Sequence, residues 1–454
     1  MLLAVFFFST IPIQLFSQER IIPGSVKDSV RCTENNSVTY CLYLPSGYSP
    51  DKAWAVIYFF DAAARGALPV ELYKNIAETR GYILVASDNS KNDLPWDKVF
   101  EIARLTMNDA EDNFRIDPAR RFTSGFSGGS RVAAHLAING NIKGVIGCGA
   151  GFPVIKPFPD TLPEFFYAGL VGSQDMNYVE MFELEDMLNE YHIKNVLYTG
   201  QFRHAWPPEE IFLSAVEWMD LQMMKECIIP EDPEFIKYLW EKQKASGDRS
   251  LAEGDILEAS RAYGYLVKDF PDIKKTVEIQ IKLDSLCQTK NYQKDLKMWK
   301  DLREEEKRTM DMLAFNFEKS ANSLSFTDSI QRNWIDRVQR LKRQEKKKNR
   351  SKALHASRLL SLISYFCYIY GNEFETSDQH EKTIFFYQLA SLIYPESQYY
   401  LFMYARACAM NNDNGRALKI LKTYISLGYD KGYIETDSAF ERLIQSRRYH
   451  TLFE

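Results

Sequence analysis

Paired cysteines are missing from this chain: its seven stand singly, with no CxxC and no His/Cys grouping at metal-ligand spacing. That excludes a structural zinc site, and no metal or cofactor is expected. An excess of one charge is missing too. With 56 Lys and Arg against 61 Asp and Glu the net charge is −5, so no basic field exists to hold nucleic acid. Long apolar runs are nearly absent, and no integral membrane span is expected. The one notable run, Met1–Ser17, is interrupted by Pro12 and is too short to span a bilayer comfortably. Followed at once by Gln18-Glu19-Arg20, it reads as a secretory signal over residues 1–18, which implies a secreted or periplasmic protein. No Lys or Arg precedes it, so a buried first strand stays open as the alternative.

What is present is core-forming material. Hydrophobic residues make up 45% and aromatics 14% of 454 residues, enough for two or three domains. From about Val38 to Lys225, short apolar or β-branched runs alternate with helical patterns. Strands are expected at Val38–Leu44, Ala55–Phe60, Tyr82–Ser87, Arg121–Phe126, Lys143–Cys148, Phe165–Val171 and Ile193–Thr199. Helices are expected at Val70–Arg80, Trp96–Phe114, Gly129–Ile138, Tyr178–Tyr191 and Pro208–Met224. Several strands are apolar throughout, as strands covered on both faces are. Such alternation predicts an α/β domain over residues 30–226: a mostly parallel sheet with helices on both sides. Cys32 and Cys41 flank the turn-like Thr33–Ser37 and could either bridge across a hairpin or remain free thiols.

The character changes after Lys225. Residues 227–233 hold Pro230 and Pro233 and read as a low-contact linker, so residues 1–225 are expected to fold alone. Residues 234–454 show helical patterns without a convincing strand. Ala259, Tyr263, Leu266 and Pro271 stand four, three and five residues apart; Thr383, Tyr387, Ala390 and Pro395 repeat those intervals, as do Ala417, Leu421, Tyr424 and Tyr429. This spacing resembles the second helix of a tetratricopeptide repeat, and the tail from Ser426 resembles the closing segment of such arrays. The resemblance implies a protein partner for the helical half. The stretch 272–351 fits the repeat badly and reads as long charged helices. Its basic run Arg337–Lys352 reads as a solvated helix end rather than an anionic-surface patch.

The chemistry concentrates in the first half. Gly125-Phe126-Ser127-Gly128-Gly129 stands where a strand hands over to a helix, the GxSxG pattern of a nucleophile elbow. The sharp turn lifts Ser127 above the sheet, and the flanking glycines leave room for the helix to approach the strand. An acid and a histidine should follow on loops after later strands. Asp175 follows Phe165–Val171 and His204 follows Ile193–Thr199, both at the carboxyl ends of strands, the edge where Ser127 also sits. Asp160 and Asp186 remain as alternatives for the acid.

Gly125–Val132, Val171–Asp175 and Gln201–Pro208, with its Trp-Pro after the histidine, resemble the motif regions of α/β-hydrolases. They are most similar to esterases of the feruloyl-esterase, polyhydroxybutyrate-depolymerase and dienelactone-hydrolase type. The resemblance spans roughly residues 38–224. It implies a serine hydrolase with Ser127 as nucleophile, His204 as base and Asp175 as orienting acid, acting on an ester-bearing small molecule or polysaccharide substituent. The backbone N–H groups of Gly128 and Ala62 would form the oxyanion hole. The usual His-Gly before that second donor is replaced by Phe60-Asp61, so Asp61 is expected either to face the pocket or to stabilise a turn. Phe152, Phe158 and Trp206 are expected near the substrate. Only sixteen residues separate Cys148 from Phe165, too few for a helical cap, so an open, shallow site is expected. A catalytically idle platform for the repeats and a peptidase on the same fold remain as alternatives.

Overall fold

The computed structural model describes residues 21–153, 159–271, 276–323, 326–377 and 379–451. The signal expected over 1–18 and the pocket residue Phe158 lie outside the described residues.

The first hairpin pairs β1 (Val26–Arg31) with β2 (Thr39–Tyr43) across the Thr33–Ser37 turn. β1 was not anticipated from the sequence. It is a half-exposed edge strand whose register shifts between Lys27 and Val30, with Ser29 at φ +56°, so its apolar alternation is broken. β3 (Trp54–Asp61), β4 (Tyr82–Ser87), β5 (Ile116–Phe126), β6 (Gly144–Cys148), β7 (Phe166–Gly172) and β8 (Asn195–Gly200) follow. They join β1 and β2 in one eight-stranded sheet of order β1-β2-β4-β3-β5-β6-β7-β8. β2 is antiparallel to β4, and every pairing from β4 to β8 is parallel.

Helices α1 (Ala67–Arg80), α2 (Trp96–Asn113), α3 (Gly128–Asn139), α4 (Tyr178–Glu190) and α5 (Glu209–Lys225) cover the sheet. α2, α3 and α4 bury their apolar faces on one side, α1 and α5 on the other. That double cover explains why all eight residues of β3 are buried and why the central strands do not alternate. It also decides the Cys32–Cys41 question. Cys32 feeds the core beneath α2–α4 and Cys41 the core beneath α1 and α5, so the two point to opposite faces and remain free. Burial pushes both thiols up to about 12.

The rest of the chain is helical. α6 (Pro233–Ala252) opens on an Asp232 cap with Pro233 at its first position, and α7 (Ile256–Asp269) opens on an Asp255 cap. α8 (Thr276–Cys287), α9 (Lys290–Ala321), α10 (Asp328–Glu345), α11 (Arg350–Thr376), α12 (His380–Ile393), α13 (Gln398–Met410) and α14 (Asn414–Ser426) follow, then short helical turns to His450. α6 with α7, α11 with α12, and α13 with α14 form pairs joined by short connections. The recurring positions Ala259/Tyr263/Leu266, Thr383/Tyr387/Ala390 and Ala417/Leu421/Tyr424 are at most 2% exposed, so the repeated spacing marks the faces where helices meet. Two pairs share a further detail. A Cβ at Gly247 would lie 2.6 Å from the Tyr263 ring, and one at Gly371 2.9 Å from the Tyr387 ring. The next residue, Asp248 or Asn372, accepts the tyrosine hydroxyl. Among the described residues no helix is long and apolar enough to cross a membrane.

The expectation of a low-contact linker does not hold. β8 is the edge strand, and α7 covers it with polar side chains on one face, at intervals of four and three residues. Leu197 N–H donates to the Tyr265 hydroxyl (3.0 Å), Arg261 donates to the Leu197 carbonyl (2.8 Å) and Lys268 to the Asn195 carbonyl (3.0 Å). Asp269 adds a buried acceptor for Trp218 (2.9 Å) and Gln222 (3.1 Å) of α5. These contacts take up the ladder groups that an open edge would offer to another chain. Cutting the chain after Glu226 is therefore expected to leave a protein that self-associates in sedimentation. A stable monomer would show that β8 tolerates a bare edge.

Candidate active site

Ser127 sits between β5 and α3 with φ +55° and ψ −120°, a conformation that costs a non-glycine residue about 1–3 kcal/mol. Close packing holds it there. A Cβ at Gly125 would stand 2.1 Å from the Gly129 carbonyl oxygen, and one at Gly129 1.9 Å from that of Phe60, so no other residue fits either position. Ser127 N–H donates to the Cys148 carbonyl (2.9 Å), tying the turn to the end of β6.

His204 and Asp175 reach this serine from the loops after β8 and β7. His204 Nε2 lies 2.9 Å from Ser127 Oγ, and Nδ1 lies 2.9 Å from each Asp175 carboxylate oxygen. Asp175 is fully buried and accepts the Asn177 N–H at 2.8 Å. Gly149, at φ +64°, passes behind the pair, where a Cβ would stand 2.9 Å from Asp175 Oδ2 and 3.3 Å from His204 Nδ1. The Phe126 ring packs against the imidazole at 4.6 Å between centroids. Neither alternative acid takes part: Asp160 is exposed, and Asp186 pairs with Arg303.

The two residues expected to supply oxyanion donors, Gly128 and Ala62, both lie next to the elbow in the chain or the sheet register. Gly128 opens α3, and the first N–H groups of a helix have no partner within it. The register pairs Asp61 with Phe126, and this brings Ala62 beside the turn. One residue was missed from the sequence. Asn92 follows β4 on the same carboxyl edge, donates its N–H to the Ala62 carbonyl (2.9 Å), and sets its carboxamide against Gly128. A Cβ on Gly128 would lie 1.8 Å from Asn92 Oδ1. Its position after a parallel strand was the only available signal.

Three pocket expectations need correction. The Asp61 carboxylate is 1% exposed and fully engaged: Arg65 holds both oxygens at 2.9 Å, the Trp206 indole N–H donates at 2.8 Å, and Ala63 N–H at 2.8 Å. It stabilises the turn and presents no bare charge to substrate. Trp206 lies buried among Phe59, Tyr73 and Phe126, supporting the layer beneath His204. Phe152 packs into the core against Phe165 and Tyr167, because Arg131 draws its carbonyl down at 2.6 Å. Glu345 of α10, Arg358 of α11 and Tyr394 just after α12 contact the loops that carry Asp175 and His204, at Ser173 and Arg203.

The amino-terminal half is an α/β-hydrolase fold. Its strand order, the antiparallel start and a serine elbow after β5 are those of that fold. Neither a protein-family model nor a curated protein sequence matches the chain. Solved structures do. Fluorophosphonate-binding serine hydrolase F of Staphylococcus aureus aligns at 12% identity and TM-score 0.37, covering 43% of this chain and 98% of that one. Esterase B of Lactobacillus rhamnosis aligns at 13% identity and TM-score 0.37, covering 46% and 90%. The feruloyl esterase module of Clostridium thermocellum aligns at 14% identity and TM-score 0.34, covering 42% and 86%. Among the described residues no group of three or more His, Cys, Asp or Glu side chains could hold a metal ion.

Because the Asp61 carboxylate is sealed by its partners, Asp61→Asn is expected to cost about 1–3 kcal/mol in urea unfolding, with the preference between a neutral and an amine-bearing ester unchanged. A changed preference ratio would put that carboxylate back in the pocket.

Proposed function

We propose that the chain is a serine hydrolase, most directly a carboxylic-ester hydrolase acting through an acyl-enzyme on Ser127. The observation that carries this reading is the unbroken relay from buried Asp175 through His204 to Ser127, with 2.9 Å at each link. His204 Nε2 takes the Ser127 proton as Oγ attacks the ester carbonyl. The tetrahedral oxyanion falls to the Gly128 and Ala62 N–H groups. His204 then protonates the departing alkoxide, leaving Ser127 acylated. Water, activated by the same imidazole, attacks the acyl carbonyl and frees Ser127 and the acid. Asp175 keeps Nδ1 protonated and stabilises the imidazolium in both halves of the cycle.

Asn92, whose N–H holds the Ala62 carbonyl and whose carboxamide fills the space against Gly128, serves in this reading to position the two backbone donors. The strained backbone at Ser127 speaks against an idle platform, which would gain nothing from keeping a costly conformation. Amide cleavage would use the same groups, and an ester on a polysaccharide or small molecule remains the preferred substrate. A secreted or periplasmic address rests on residues 1–18, and a protein partner on the tetratricopeptide-like spacing.

A fluorophosphonate probe is expected to label the wild type at Ser127 and to leave Ser127→Ala unlabelled, with the variant's melting unchanged. Hydrolysis of nitrophenyl acetate should fall by about 10³-fold or more in that variant. Turnover close to wild type in Ser127→Ala would remove this serine as nucleophile. Asn92→Ala should lower kcat by about tenfold with little change in KM, because backbone donors that lose their support fail chiefly in the transition state. An unchanged kcat would reduce Asn92 to a spacer beside Gly128.

A further inference from the structure

The loops that carry the acid and the base are zipped to each other before anything else touches them. Ser173 N–H donates to the Gly200 carbonyl (2.7 Å), Gln174 N–H to the Phe202 carbonyl (3.2 Å), and Arg203 Nε to the Gln174 side chain (3.1 Å). Ser173 and Gln174 lead directly into Asp175, and Arg203 directly precedes His204. The two loops therefore move as one body.

Besides its ties to the amino-terminal half through Trp206 and Asn177, that body is held at two points by the helical half. The first is Arg358 of α11, only 8% exposed. Its Nη1 donates to the Ser173 carbonyl at 2.8 Å, while Nε and Nη2 fork onto Glu306 of α9. Its guanidinium also lies 4.7 Å from the Tyr178 ring centre. Glu306 is 2% exposed and takes a further contact from His355 Nδ1 at 3.2 Å. Burial works to raise this carboxyl, and its bonds to Arg358 and His355 outweigh that, so the net shift is downward. With every direction occupied, the guanidinium has no freedom to swing away from Ser173. The second point is Arg203 itself. Its Nη2 meets Glu345 of α10 at 3.3 Å, and its guanidinium lies 4.8 Å from the Tyr394 ring centre beyond α12. Glu345 is fixed in turn by the Ser357 hydroxyl at 2.9 Å.

We propose that the helical half aligns the active site, with Arg358 and the Arg203–Glu345 pair as positioning residues that hold the acid and base loops in register with Ser127. The proposal rests on the reading of Ser127, His204 and Asp175 as a hydrolase site. A merely adhesive interface would have no need to bury an Arg–Glu pair that spends its remaining donor on one backbone carbonyl, since apolar packing gives comparable stability without the desolvation cost. The tethers land on the residues flanking the acid and the base, where small displacements matter most to proton transfer.

The test uses the full chain. Arg358→Lys keeps the ion pair with Glu306 but, with a single ammonium, cannot also reach the Ser173 carbonyl. Glu345→Gln removes the charge at the second tether from a half-exposed pair and keeps the side-chain volume. Melting temperature, kcat and KM on a nitrophenyl ester, and the rate of fluorophosphonate labelling are measured for each variant and for the double. Arg358→Lys is expected to lower kcat and the labelling rate about tenfold, with KM within about twofold. Glu345→Gln is expected to lower kcat about threefold without a change in melting, and the double to lose more than the product of the singles, since both tethers restrain one body. Wild-type kcat in the Glu345→Gln and double variants overturns the proposal, as does activity that merely tracks the folded fraction. A wild type that does not label at Ser127 is the separate failure of the hydrolase reading, and the alignment proposal falls with it.

Discussion

The crossing of β3, β5 and α3 at the elbow constrains the rest of the site. Gly125 touches the Gly129 carbonyl, and Gly129 touches the Phe60 carbonyl, at distances no Cβ would survive. Because three backbones meet there without side chains between them, the end of β3 lies beside the start of α3. The end of β3 at Asp61 is thereby set beside the elbow by main-chain packing rather than by flexible side chains. The Asp61 network serves the same end. A buried carboxylate shared by Arg65, Trp206 and a backbone N–H locks the turn that carries Ala62.

The helical half answers a different constraint. A parallel sheet ending on a central-type strand leaves unpaired N–H and carbonyl groups at its edge, and β8 is apolar enough to invite another chain. α7 closes that edge with Arg261, Tyr265 and Lys268. Helices α10 and α11 contact the loops after β7 and β8, at the carboxyl ends of the strands. One appendage thus both seals the sheet and touches the edge that carries Ser127, and the two halves share buried polar contacts that a flexible linker would not produce.

The strands and helices of the first half were legible because burial on both faces leaves continuous apolar runs, and because the helices between them keep their period. Even the repeated Ala/Tyr/Leu spacing in the second half marked residues that are buried where helices pair. β1 was not legible, since an exposed, bulged edge strand carries no run to read. In the site, the order of serine, acid and histidine was visible from the alternation of strands, which places each loop on one edge of the sheet. Asn92 was hidden because a single polar residue in a turn has no local pattern.

By itself the sequence determined the alternation of elements, the elbow, and the identity of the residues on the loops at the strands' carboxyl ends, because these follow from local periodicity and chain order. Only the tertiary structure decided where charges and walls lie. Asp61 reads as a bare carboxylate until Arg65 and Trp206 close on it. Phe152 reads as a pocket wall until its loop is drawn into the core, and Cys32 and Cys41 read as neighbours until the sheet sends them to opposite faces. The linker reads as a boundary until α7 lies along β8. Each of these outcomes depends on contacts between segments far apart in the chain, and periodicity carries no information about such contacts.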